Sequence, residues 1–145
     1  MKSAQIREFS GQYRFLSNFW PINPETLHGY PTVEHFYQAM KTFDERDRKA
    51  IRLADTPGQA KRMGRKVHMR PDWEIQKQSI MAYAVGRKFR LNPELGQKLL
   101  DTGDRDLIEG NMWNDTYWGV CNGIDLNKLG SILMQTRESL QRGEP

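Results

Sequence analysis

The sequence contains a single cysteine, Cys121, and no long apolar run. One cysteine excludes a disulfide within the chain and cannot by itself supply a cysteine-based zinc site. No stretch approaches the ~20 consecutive apolar residues of a membrane-spanning helix. The first residues are also not followed by the apolar segment of a secretory signal peptide. These absences predict a cytoplasmic protein that does not bind or cross a membrane.

The motifs of several large enzyme classes are missing as well. The chain has no P-loop, no GxGxxG, no GxSxG and no HExxH. None of its three histidines, His28, His35 and His68, stands at metal-ligand spacing from a cysteine or a carboxylate. We therefore expect neither a metal nor a cofactor.

The composition is that of a folded globular protein. The chain has 145 residues, of which 37% are hydrophobic and 28% charged, which is enough for one sizeable core and predicts one domain over residues 1–145. We expect the end after about residue 141 to be frayed. The net charge of +4 suits an anionic ligand such as a phosphate or a nucleotide, and would also suit nucleic acid.

Hydrophobic periodicity and capping signals predict a compact, mostly helical α+β domain with a few short strands. The predicted helices cover residues 33–43, 44–54, 57–64, 73–91, 93–100 and a last helix after 125–127, with Leu126, Leu129, Ile132, Leu133 and Leu140 toward the core. Short strands are predicted at 6–9 and 106–109, and a small hairpin at 22–30. The aromatic segment 13–20 has neither periodicity, which indicates a loop.

One predicted helix, at 31–41, carries two distinct faces. At about 100° per residue, its apolar face holds Val33, Phe36, Tyr37 and Met40, and its polar face holds Glu34, Gln38 and Lys41. Glu34 and Lys41 would be two turns, or roughly 10 Å, apart, which is too far for an ion pair but about the width of a substituted sugar ring. The same pattern is typical of a surface helix with a solvated polar edge, and on this stretch alone that interpretation is favoured.

A second group of candidate residues lies in the segment 110–122, which is rich in tryptophan, asparagine and glycine. Hydrolysis at a sugar carbon needs carboxylates that transfer protons, and aromatic surfaces hold flat bases. Glu34, Glu109 and Asp115 are carboxylates near aromatic residues, and Asp115 stands between Trp113 and Trp118. The alternative for Asp115 is a local turn, but long aromatic loops in small domains are more often functional.

Several motifs, in this order and at these spacings, make the chain similar to the NADAR family, whose members are also called YbiA-like proteins. The motifs are FLSNF at 15–19, TVEHFYQAMK at 32–41, MGR at 63–65, DWE at 72–74, LIE at 107–109, NDTYWG at 114–119 and NKLG at 127–130. The resemblance extends from residue 9 to about residue 140, which is nearly the whole chain.

The resemblance implies an enzyme that hydrolyses an N-glycosidic bond between ribose and an exocyclic amine. The implied substrates are ADP-ribosylated guanine, in nucleic acid or as a nucleotide, and the ribosylaminopyrimidine phosphates of riboflavin synthesis. The catalytic residues that it indicates are Glu34, Lys41 and Asp115. Our hypothesis for substrate binding adds Asn18, Phe19, Arg65, Trp73 and Trp118.

Two mechanisms and two other functions stay open at this point. Lys41 could form a Schiff base with the opened sugar while Glu34 transfers protons. Alternatively, water could displace the base directly, with Lys41 acting only through its charge. The chain could also be a non-catalytic module that binds ADP-ribose or a nucleotide, or a general nucleic-acid binder whose affinity falls steeply with salt.

Overall fold

The computed structural model of the protein describes residues 5–110, 117–119 and 126–144. Its residues form two compact units, one spanning Asn18–Asn92 and the other combining Met1–Ser17 with Pro93–Pro145. Most of the described residues lie in helices, so the predicted mostly helical fold is confirmed. The assignment of residues 1–145 to one domain stays a prediction.

The helices follow one another along the chain with short connections. They are two 3₁₀ helices, Gly11–Leu16 and Pro24–Leu27, and the α-helices α1 (Val33–Ala39), α2 (Glu45–Arg52), α3 (Pro57–Gly64), α4 (Trp73–Leu91), α5 (Pro93–Leu100) and α6 (Lys128–Gln141). Within the described ranges, none of these helices combines the length and the apolar character needed to span a bilayer.

Helix α1 is the centre of the Asn18–Asn92 unit. It contacts α2, α3 and α4, and every one of its residues is buried. The predicted apolar face is confirmed for Val33, Phe36 and Tyr37. The solvated polar edge is wrong, because Glu34 and Gln38 are only 7% and 3% exposed. Neighbouring helices cover both faces of a helix that looks amphipathic in sequence.

The capping signals located the starts of two helices correctly. The Asp44 carboxylate accepts hydrogen bonds from two backbone N–H groups of the first turn of α2, at 2.9 and 3.1 Å. The Thr56 hydroxyl accepts from the Gln59 N–H at 3.0 Å, and Pro57 occupies the first position of α3. Each side chain satisfies donors that a helix N-terminus leaves unpaired.

The predicted hairpin at 22–30 is wrong, because this segment contains the 3₁₀ helix Pro24–Leu27. The Asn23 side chain caps it by accepting from the Glu25 N–H at 3.1 Å. His28 ends it in the left-handed conformation with φ of 54°. The asparagine–proline pair therefore starts a helical turn instead of a strand connection.

The other unit contains β-type pairing only as an isolated parallel bridge between Ile6 and Leu107, within the part of the chain that the structure describes. The Ile6 N–H donates to the Asp106 carbonyl at 2.9 Å, and the Ile108 N–H donates to the Ile6 carbonyl at 2.8 Å. The strands predicted at 6–9 and 106–109 thus shorten to this bridge, because one bridge pair without further neighbours makes no ladder.

Two further expectations in this unit need correction. The aromatic segment that was predicted as a loop includes the 3₁₀ helix Gly11–Leu16, which buries Phe15 and Leu16. On α6, Leu129, Ile132 and Leu133 are buried as predicted. Leu126 precedes the helix and is 60% exposed, so its assignment to the core is wrong.

Candidate active site

The first turn of α1 places Glu34 inside the Asn18–Asn92 unit. The helix starts at Thr32, whose hydroxyl accepts from the His35 N–H at 3.1 Å. The Glu34 N–H, another first-turn donor, is satisfied by the Asn18 carbonyl at 3.1 Å. The loop that carries Asn18 is therefore held directly beside the residue before His35. This contact brings two residues of the predicted site, Asn18 and Glu34, together.

Gln38 holds the Glu34 carboxylate in place. It follows one turn later on α1, and its amide Nε2 donates to Glu34 Oε1 at 2.8 Å. The Gln38 oxygen lies against Gly64, where a Cβ atom would approach it to 2.0 Å. Gly64 therefore allows the end of α3 to pack against Gln38. A buried carboxylate with a fixed donor keeps a defined orientation.

Lys41 lies just beyond α1. The sequence predicted a helix reaching residue 43, but α1 ends at Ala39 with Met40 as its cap. The Lys41 N–H returns to the Gln38 carbonyl at 3.3 Å, and the Lys41 carbonyl accepts from the Arg70 N–H at 2.7 Å. Because Arg70 takes that carbonyl, the helical ladder stops here and the chain turns toward α2.

The surroundings of Lys41 lower the pKa of its amine. Burial is the largest cause. The Glu34 carboxylate opposes the shift, and the positive charges of Lys61, Arg65 and Lys77 add to it. The Nζ atom lies 5.8 Å from the centre of the Tyr37 ring. A larger fraction of the amine is therefore neutral than for a solvated lysine, and the neutral amine is the nucleophilic form.

The two aromatic residues predicted for this unit differ in exposure. Phe19 is 43% exposed, so a large part of its ring is accessible to a ligand. Trp73 is only 3% exposed and packs against Tyr37 with 5.0 Å between ring centres. Its ring supports the helix that precedes Lys41 and leaves little surface for a base.

The remaining predicted binding residues have separate locations. The Asn18 side chain is half-buried and donates to the Met81 sulfur at 3.5 Å, a weak acceptor. Arg65 is exposed and caps the C-terminus of α3. Trp118 belongs to the other unit, where it is half-buried and meets Tyr117 edge-on at 4.7 Å. Asp115 lies outside the described residues.

The histidine in the middle of this site has a structural role. The Thr32 hydroxyl donates to His35 Nδ1 at 2.8 Å, and Nε2 donates to the Ala54 carbonyl at 3.0 Å. Both ring nitrogens are thus used, and burial lowers the pKa of the imidazole. Among the residues that the structure describes, no three histidine, cysteine, aspartate or glutamate side chains converge on a possible metal position.

The comparison with known proteins identifies the family. The sequence pattern of the NADAR domain matches residues 6–141. The chain belongs to the NADAR family.

Relatives and a solved structure agree with this assignment. N-glycosidase YbiA of Shigella boydii is 41% identical over 136 residues, covering 90% of this chain and 84% of the relative. A riboflavin biosynthesis protein of Vibrio vulnificus is 38% identical over 136 residues, covering 90% of this chain and 36% of that protein. The NMR structure of Escherichia coli YbiA matches with a TM-score of 0.86 and 38% identity, covering 99% and 88% of the two chains.

These NADAR relatives confirm the predicted enzyme class, because curated relatives are named N-glycosidases. Their names do not test the individual site residues. The geometry adds Lys61, Gly64 and Lys77 to the predicted NADAR site, and gives Gln38 the position of Glu34's partner. The spacing of four residues from Glu34 could have indicated Gln38. Lys61 and Lys77 lie on other helices, so the local sequence around Lys41 contains no signal for them.

Proposed function

We propose that the protein cleaves the N-glycosidic bond between ribose and an exocyclic amine through a Schiff base on Lys41. One observation carries this proposal: the Lys41 amine, with its lowered pKa, interacts with the buried Glu34 carboxylate. A nucleophile and a proton-transferring group are thus paired in a desolvated place. The N-glycosidase name of the curated relatives supports the same reaction class.

The linkage suggests how these two groups act. A glycosylamine opens its sugar ring when the ring oxygen gains a proton and the C1–oxygen bond breaks, which leaves an imine to the base. The neutral Lys41 amine adds to C1. Glu34 then transfers a proton to the base nitrogen, and the C1–nitrogen bond breaks. Water hydrolyses the lysine Schiff base and returns the free amine, so the sequence needs no oxidant or reductant.

The other predicted residues receive binding roles in this proposal. Phe19 offers an exposed ring for the base or the ribose face. Arg65 contacts a phosphate, and Asn18 donates a hydrogen bond to the ligand. Asp115 orients the ribose or assists ring opening, with Trp118 as an aromatic contact. The burial of Trp73 gives it a supporting role behind Tyr37 instead of a contact with the base.

The charges around Lys41 favour a substrate that carries phosphate. Lys61, Arg65 and Lys77 all act electrostatically on the Lys41 amine, and cations of this kind attract phosphate groups. Both substrate types, ADP-ribosylated guanine and a ribosylaminopyrimidine phosphate, meet this requirement. The name of the Vibrio vulnificus relative favours the second, a riboflavin precursor.

A comparison of the two substrates with matched variants tests the proposal. Released base and sugar are measured with ADP-ribosylated guanine DNA and with the ribosylaminopyrimidine phosphate. We expect turnover of at least one, and its loss in Lys41→Ala and Glu34→Gln. Lys41→Arg keeps the charge but cannot form the Schiff base, so it should be as inactive as Lys41→Ala. Lys66→Ala, at an exposed position, is the control.

Borohydride trapping separates the two mechanisms. During turnover of the wild-type protein, reduction should leave the sugar covalently bound to Lys41, detected by mass spectrometry of the peptides. Full activity in Lys41→Arg, with no adduct on the wild-type protein, would instead support direct displacement by water. Binding of either substrate without any release would favour the non-catalytic module.

A further inference from the structure

A second concave region lies in the Asn18–Asn92 unit, and we call it the arginine–aromatic cleft. It has a volume of about 450 Å³ and is lined by the rings of His28, Tyr30, Phe36 and Tyr83 and by Arg48 and Arg52. Pockets of roughly 300–1,000 Å³ are typical for small molecules. The proposed reaction uses none of these side chains.

The cleft lies on the opposite side of α1 from the candidate active site. Phe36 lines the cleft, and two residues along a helix correspond to a rotation of about 200°. Phe36 therefore faces away from Glu34. Gln38, which bonds to Glu34, points to that other side as well. One short helix thus separates two sites with different side chains.

Three rings of the cleft form a nearly continuous surface. His28 and Tyr83 are stacked, with ring centres 5.8 Å apart and 14° between their planes. Phe36 continues the surface behind His28, at 6.1 Å and 24°. The Tyr83 side remains 43% exposed. Near-parallel, accessible rings of this kind provide a platform on which another flat ring can stack.

The arginines make the same cleft attractive to an anion. Arg48 is already engaged, because its Nε donates to the Thr42 carbonyl at 2.7 Å and it lies 3.5 Å from the exposed Glu45. Arg52 is half-buried and has no hydrogen bond or ion pair among the described residues. A partly desolvated guanidinium with unused donors is suited to a bidentate phosphate contact.

Both charges act on the interior of the cleft. Burial raises the pKa of the Tyr30 hydroxyl, and the positive charges of Arg48 and Arg52 partly oppose that rise. The guanidinium groups therefore influence a side chain in the cleft lining and are not merely at its outer rim. A platform for a flat ring and an unused cation consequently occur in one cleft of suitable volume.

We propose that the arginine–aromatic cleft is a nucleotide-binding site, separate from the candidate active site. The base stacks on the surface formed by Tyr83 and His28, and the phosphate binds the Arg52 guanidinium. The cleft would bind a nucleoside monophosphate more tightly than the corresponding nucleoside, because only the first supplies the anion.

Titration calorimetry with adenosine 5′-monophosphate on the full chain tests this site. We expect saturable binding of the monophosphate and markedly weaker binding of adenosine. Arg52→Ala should weaken monophosphate binding about tenfold or more, as expected for one charge-assisted hydrogen bond. Arg46→Ala removes an exposed arginine of the same helix that does not line the cleft, and it should bind like the wild type.

The aromatic contact has its own matched pair. Tyr83→Ala should lose about tenfold in affinity, since stacking contributes this much per base. Tyr83→Phe keeps the ring and should retain binding. Circular dichroism checks that each variant is folded.

Three results would overturn the proposal. The first is no detectable binding of the monophosphate to the wild-type chain. The second is equal affinity for adenosine and its monophosphate, which needs no variant. The third is loss of binding in Lys41→Ala with full binding in Arg52→Ala, because the nucleotide would then occupy the candidate active site.

Discussion

Gln38 is the side chain through which the position of Glu34 can be tested. It is 3% exposed and donates to Glu34 Oε1 at 2.8 Å. Gln38→Met keeps the volume but removes this donor, so we expect kcat to fall about tenfold or more with little change in KM. Gln59→Met, at a glutamine of α3, is the control. Unchanged kcat in Gln38→Met would show that Glu34 needs no such orientation.

The amine of Lys41 should give the enzyme a characteristic dependence on pH. Because the neutral amine is the nucleophile, kcat/KM rises as Lys41 loses its proton. Lys61 helps to lower the pKa of Lys41, after burial as the main cause. In Lys61→Ala that pKa rises, so the rising limb of the pH profile should move to higher pH. The measurement is kcat/KM at closely spaced pH values.

An exposed lysine provides the comparison for this pH experiment. Lys66 is not among the charges that act on Lys41, and Lys66→Ala should leave the limb in place. A lower maximum without a shift in Lys61→Ala would mean that Lys61 contacts the substrate but does not tune the amine. A shift toward lower pH would contradict the assignment of the rising limb to Lys41.

At the scale of the helices, sequence signals predicted starts better than ends. Asp44 and Thr56 cap α2 and α3 through contacts within their own first turn, and such contacts depend on neighbouring residues only. The end of α1 depends on Arg70, which is distant in sequence and takes the Lys41 carbonyl. Local patterns contain no information about a partner of this kind.

The junction between α1 and α3 requires a residue without a side chain at position 64. A Cβ atom there would lie 2.0 Å from the Gln38 oxygen. Gly64→Ala should therefore cost about 1–3 kcal/mol of unfolding free energy, and should lower kcat because Gln38 must move. Chemical denaturation and steady-state kinetics measure the two effects.

Gly58 on the same helix provides the matched control. The nearest atoms to a Cβ there are 3.9 Å away, and alanine favours a helix over glycine by about 1 kcal/mol. Gly58→Ala should consequently be neutral or stabilising, with unchanged kcat. Equal losses of stability in both variants would indicate a general intolerance of α3 to substitution, not a specific contact with Gln38.

At the scale of the whole molecule, the sequence predicted the family and the reaction class better than the packing of the site. The motif at 32–41 contains both Glu34 and Lys41, so it could indicate this pair. It could not indicate that α1 is buried on all sides, because neighbouring helices provide that burial. Amphipathic periodicity describes one helix, whereas enclosure depends on three others.

Lys88 links the enclosure of a charged group to the stability of the entire fold. It is 1% exposed, and burial lowers the pKa of its amine to about 7. Between pH 7 and 9 the unfolded chain binds this proton and the folded chain does not, so stability should rise with pH by up to about 1.4 kcal/mol per unit. Lys88→Met should flatten this slope in denaturation experiments, whereas Lys66→Met, at an exposed lysine, should keep it. A wild-type slope of zero or of opposite sign would mean that Lys88 stays charged in the folded protein.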